Sequence, residues 1–205
     1  MSIDSESALG TATRIAAGDD GTNYDKVAIA LHWATAVLVV LQMALALLWD
    51  LGDRPMHRTM VTAHMSFGLI LTAVIIARII WRLVPGHQVP AADVGLARIA
   101  SKAVHYGLYL LLPAEAVLGF LAQWSEGRPL SFFGLVMIPP PFAEWSREAH
   151  HQVVEVHEWV AWTIIALATL HSLAALYHHY VLKDRVLKRM LPGGSSKARP
   201  AAVRS

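Results

Sequence analysis

The stretch VVEVHEWVAWTIIALATLHSLAALYHHYVL, residues 153–182, decides how this chain is read. It exceeds the roughly 20 mostly apolar residues that cross a bilayer, and polar residues interrupt it only near its ends. It also carries two histidines, His157 and His171, fourteen residues apart. At 100° per residue, fourteen steps fall within about 40° of whole turns, so both rings project from one helix face. The same count separates them by about 21 Å along the axis. An ionisable side chain at membrane depth is costly and is by default a functional residue.

Three further runs match this one in length and character: Val27–Trp49, Met60–Val84 and Ala103–Trp124. Across 205 residues, 55% are hydrophobic and 16% charged, and mean hydropathy is +0.44. A soluble domain carries about 25% charged residues, so this chain is too apolar for an aqueous surface. None of the runs alternates with period two, and each is about twice the length of a barrel strand, which excludes a β-barrel. The absence of cysteine excludes disulfides, iron–sulfur ligation, thiolate zinc sites and C-x-x-C-H haem attachment. A net charge of +2 makes no case for nucleic acid.

Lys and Arg outside the apolar centres number thirteen in the N-terminal segment, second connection and C-terminal segment, against four in the first and third loops. Positive residues stay cytoplasmic. The expected fold is an all-α integral membrane protein, an up-down four-transmembrane-helix bundle with both termini cytoplasmic. Residues 1–25 read as a polar tail without a signal peptide's apolar region, 26–192 as the membrane domain, and 193–205 as a disordered tail. No internal repeat or second domain is evident. The loop at 125–150 has an apolar centre too short to span, expected to lie along the outer interface.

Five histidines fall at membrane depth: His32, His64, His105, His157 and His171. Any one alone could be a packing residue bonded between helices. Together they form two strata, an outer one with His64 and His157 and an inner one with His171, His32 and His105. Zinc normally takes three or four protein ligands, and His157-Glu158 does not continue into H-E-x-x-H. Opposed imidazoles on separate helices suit a flat apolar cofactor, b-type haem, with one haem per stratum. Gly68, four residues after His64, would leave room beside that ligand. Arg78, fourteen residues from His64, could neutralise an inner haem propionate or simply snorkel to the headgroups with Arg82. The residues leave open whether His32 or His105 partners His171.

Several stretches resemble the bacterial cytochrome b561 family, stand-alone di-haem membrane cytochromes. They are Leu-His-Trp at 31–33, Ala-His-Met-Ser-Phe-Gly at 63–68, and Arg-Ile-Ile-Trp-Arg at 78–82. His105-Tyr-Gly, Gly127-Arg-Pro, Phe133-Gly-Leu, His157-Glu158 and His171 through His178-His179-Tyr180 follow, and the tail to Pro192 completes the set. The resemblance covers about residues 23–192. It implies two non-covalent haem b groups, the inner held by His32 with His171 and the outer by His64 with His157, which leaves His105 for propionate or quinone contact. It also implies transmembrane electron transfer in a bacterial inner membrane between an outer-face donor, superoxide above all, and the ubiquinone/ubiquinol pool. The alternative is a membrane-anchor cytochrome b subunit of a larger dehydrogenase or hydrogenase, with a protein partner.

Two features depart from the pattern. Val181-Leu182 stands where some relatives place an aromatic residue near the quinone. The outer loops carry Asp50, Asp53, Glu126, Glu144 and Glu148 beside their arginines, so they form no simple cationic surface for an anion. His178, two turns after His171 on the same face, is the candidate proton donor to a quinone. Glu115 is the only acid deep in a span. It reads either as a proton carrier or as a carboxyl bonded to a carbonyl freed by Pro113.

Overall fold

Capping side chains set where three of the four helices begin, and all four begin earlier than the apolar runs do. The computed structural model describes residues 25–84, 95–184 and 186–191. Helix α1 is Lys26–Leu48, with Asp25 accepting from the Ala28 amide at 2.9 Å. Helix α2 is Arg54–Leu83, capped by Asp53 through the Met56 amide at 2.9 Å, with proline in its first turn. Helix α3 is Gly95–Ser125, with Pro113 inside it. Helix α4 is Arg147–Tyr177, capped by Ser146 through the Ala149 amide at 3.2 Å. An apolar count stops where side chains turn polar. A helix runs on through polar flanks until a cap satisfies its free amides. The tails expected at 1–25 (save Asp25) and 193–205 lie outside the described residues, as does the connection at 85–94.

All four helices are long and apolar enough to cross a membrane. The packing differs from that of a soluble core. Among the described residues the buried set joins Thr35, Ser66, Ser125 and Ser131 to Ile75, Leu130 and Ile164, whereas Val40, Ile80, Leu110 and Leu173 are exposed. Small polar residues between helices and large apolar ones outside are what a lipid solvent selects.

Helix α1 packs along α2 and α3 along α4; α2 meets α3 more lightly, and α1 and α4 barely approach at backbone distance. The bundle is thus two helical hairpins side by side. One end, the terminal end, holds the start of α1 and the end of α4. There both Asp25 carboxylate oxygens accept from Trp81 Nε1 at 3.1 Å, and Trp33 Nε1 donates to the Met190 carbonyl at 2.7 Å. The opposite, loop end carries the connections at 49–53 and 126–146.

The long loop holds a small antiparallel hairpin that the sequence reading did not anticipate. Strands β1 (Leu130–Phe132) and β2 (Val136–Ile138) are joined through Phe133, Gly134 and Leu135, the first two with φ of 51° and 74°. Two positive φ values match a type I′ turn, whose twist suits a tight hairpin, and the Leu135 amide closes it onto the Phe132 carbonyl at 2.9 Å. Ser66, fully buried on α2, holds this hairpin to the bundle. Its hydroxyl accepts from the Phe133 amide at 2.7 Å and lies 3.2 Å from the Ser131 carbonyl. Phe67 and Phe133 meet edge to face beside it.

Candidate functional site: two histidine pairs between the helical hairpins

Where the α1 and α4 backbones stay apart, imidazoles reach across. His32 on α1 and His171 on α4 have ring centres 6.2 Å apart at an interplanar angle of 71°. His64 on α2 and His157 on α4 have ring centres 6.4 Å apart, at 89°. The first pair lies toward the terminal end and the second toward the loop end, so α4 supplies one ring to each. His105 on α3 also stands against His171, but at 4.9 Å between centres.

The loop-end pair is set among oxygen acceptors. His64 Nδ1 lies 3.2 Å from the Gln42 carbonyl, which can only accept. The ring proton therefore sits on Nδ1, and in a neutral imidazole Nε2 keeps its lone pair. The Gln42 side-chain amide donates back to the His64 carbonyl at 3.1 Å. A Cβ added to Gly68 would meet that amide nitrogen at 2.9 Å, so the glycine leaves room for the end of the Gln42 side chain beside His64. Trp49 packs edge-on against the His64 ring.

His157 Nδ1 lies 3.1 Å from Glu115 Oε1. The distance is that of an ion pair, yet Nδ1 has no aligned hydrogen-bond acceptor. Both statements hold: the carboxylate is close but off the ring N–H axis. The other carboxylate oxygen, Oε2, is buried and without a partner. Glu115 thus faces His157 rather than a carbonyl freed by Pro113. Gly119, one turn along α3, would place an added Cβ 3.4 Å from His157 Cε1, so the ring rests against α3 at a position without a side chain.

The terminal-end pair is set among cations and imidazole. Arg78 Nη2 lies 3.2 Å from His32 Nδ1. Guanidinium can only donate, so here His32 Nδ1 accepts and the ring proton sits on Nε2. Arg78 and Arg82 both lie over the Tyr109 ring, at 5.3 and 5.5 Å. Beyond this pair α4 widens into a π-turn, His178–Leu182, and Lys183 turns left-handed at φ 56°. That turn brings Asp184 back to His178, with Oδ2 2.5 Å from Nδ1. Burial opposes the Asp184 charge, but the His178 hydrogen bond, the Val186 amide and Arg189 hold it below the usual carboxylate range. It stays charged at neutral pH, and the contact is lost only in acid.

Sequence reasoning missed three partners: the Gln42 carbonyl, Glu115 as a neighbour of His157, and Asp184. The spacing of His157 and His171 carried no signal for the first two, which depend on how neighbouring helices are rotated. Asp184, six residues after His178, lay within reach of any tight turn.

The donor set fits haem b. Each pair brings two imidazoles from different helices to 6.2 and 6.4 Å between ring centres, a separation at which the two rings would hold one haem iron between them. His105–His171 is too close for it. Among the described residues no group of three or more His, Cys, Asp or Glu could hold a metal ion.

Comparison with known proteins agrees. A family model described as prokaryotic cytochrome b561 matches residues 23–193. Cytochrome b561 homolog 2 of Escherichia coli (strain K12) is 33% identical over 178 residues, covering 84% of this chain and 93% of the relative. Probable superoxide oxidase CybB of Yersinia pestis is 30% identical over 177 residues, covering 82% and 96%. Cytochrome b562 of Cereibacter sphaeroides is 29% identical over 183 residues, covering 82% and 94%. The chain belongs to the prokaryotic cytochrome b561 family: a multi-pass membrane protein that binds haem b and transfers electrons across the bilayer.

Proposed function

We propose that the chain binds two haem b groups and passes electrons from a donor at the loop end to ubiquinone at the terminal end. His64 with His157 holds the loop-end haem, and His32 with His171 the terminal-end haem. When bound, haem supplies one-electron exchange at an iron whose potential its protein surroundings tune. The observation that carries the reading is the matched ring separation of the two pairs, 6.4 and 6.2 Å. It favours His32 over His105 as partner of His171, because His105 sits too close at 4.9 Å.

Lys and Arg counts support a cytoplasmic terminal end in a bacterial inner membrane. The donor then acts on the outer face. Superoxide is the proposed donor, in line with the name of the Yersinia pestis relative. Arg78 has a second role in this reading. An Nε2 that binds metal needs the ring proton on Nδ1, so Arg78 must leave His32, and an anionic haem propionate is the group that would attract it. Quinone is placed beside His178, where the Asp184 contact holds a proton on Nδ1 and where Lys183 and Arg82 lie at the same end. His105, at that end too, is a second candidate contact.

The test is spectroscopic. The purified protein should carry two b haems per chain, be reduced by superoxide and be reoxidised by added ubiquinone. One haem or none, or reduction by superoxide that ubiquinone does not reverse, would overturn the reading.

A further inference from the structure

Among the described residues Glu115 is the one acidic side chain deep in the bundle, and a membrane interior tolerates such a group only against a compensating partner. The contacts described above give it one. Its Oε1 lies 3.1 Å from His157 Nδ1, and its Oε2 is buried without a partner. Four residues on, Gly119 leaves the same ring against bare backbone, an added Cβ falling 3.4 Å from His157 Cε1, at van der Waals contact. Positions four apart share a helix face. Glu115 and Gly119 therefore form a bay on α3 that seats one edge of the His157 ring.

We propose that Glu115 is a positioning residue for the loop-end haem: from its 3.1 Å contact with His157 Nδ1, a small turn of the ring on haem loading brings the Nδ1–H onto the carboxylate, commits Nε2 to the iron and lowers that haem's reduction potential. This rests on the assignment of His64 and His157 as ligands. The physical basis is general. A histidine ligand that donates its other N–H to a carboxylate is fixed in tautomer and orientation and becomes more basic. A more basic ligand favours the oxidised metal. His64 faces a neutral carbonyl, which enriches its ring less than a charged carboxylate does, so the part of the effect that Glu115 removal takes away belongs to His157.

The test is a potentiometric titration of the haem-loaded protein, the two haems followed separately by their optical and low-spin resonance signals. Glu115→Leu should raise the loop-end potential by about a tenfold change in oxidised-to-reduced ratio at fixed potential, 59 mV for one electron. The terminal-end haem should not move. Glu115→Gln, which keeps an oxygen acceptor, should shift it less, and Glu115→Asp should restore most of the parent value. A Leu variant that keeps both haems at parental potentials would overturn the proposal, as would equal shifts of the two haems. If Glu115→Leu loses its loop-end haem, the Gln and Asp variants decide by the same criterion. Failure of the ligand assignment looks different: His157→Ala would then leave the loop-end low-spin signal intact in the otherwise unaltered chain.

Discussion

The two histidine pairs have nearly the same ring separation and opposite surroundings. At the loop end each Nδ1 faces an oxygen, the Gln42 carbonyl for His64 and the Glu115 carboxylate for His157. At the terminal end His32 Nδ1 faces the Arg78 guanidinium, and His171 packs against a third imidazole. Oxygen acceptors make an imidazole more electron-rich and favour the oxidised metal; nearby cations favour the reduced one. In the proposed di-haem reading, electrons therefore run downhill from the loop end to the terminal end. In that reading, one ligand set dressed in two ways gives the bundle its direction.

The largest test is removal of a ring. His157→Ala should lose the loop-end haem or convert it to high spin and leave the terminal-end signal. His171→Ala should do the reverse, both read from low-temperature spectra with haem counted per chain. Loss of both haems from either variant, with helicity intact, would mean the pairs are not independent. His178→Ala probes what the terminal end serves. Losing a proton donor should slow ubiquinone reduction by ~10²–10⁴-fold in stopped-flow mixing, with both haem spectra unchanged, and normal kinetics would place the quinone elsewhere.

Arg78→Met probes the charge contrast itself. It should lower the terminal-end potential, by up to about tenfold in the redox ratio, 59 mV, and so narrow the gap from the side opposite to Glu115→Leu. A rise would reverse the direction argued here. The smallest effect is expected from His105→Ala. Both low-spin signals should persist, whereas His32→Ala should lose the terminal-end one; the opposite pattern would exchange the two residues' roles.

The four spans were legible in the sequence because bilayer thickness imposes a minimum length that hydropathy reports directly. The separation of His157 and His171 into two levels was legible from helical rise alone. The choice between His32 and His105 was not, since both lie a short way in from the terminal end and only the rotation of α1 and α3 distinguishes them. That rotation also hid Glu115, whose neighbour in sequence, Pro113, suggested a local backbone partner instead of a ring on α4. The hairpin at 130–138 went unread because its turn is Phe133-Gly134 rather than the Asn-Gly that announces a type I′ turn. A buried serine 67 residues away, Ser66, holds Phe133 in that conformation.

Helix α4 contributes a ring to each pair, while α1 and α2 contribute one apiece. It therefore serves as a ruler whose graduations are residues. Sliding it by one turn, about 5.4 Å, would displace both rings at once, so the two levels share a single register and cannot drift separately. Inserting one residue between positions 157 and 171 would swing one ring by about 100° relative to the other, and no movement of α1 or α2 alone could realign both. The lipid-facing side of α4 and the loops at either end carry no such constraint, but the count between those two histidines behaves as a fixed length.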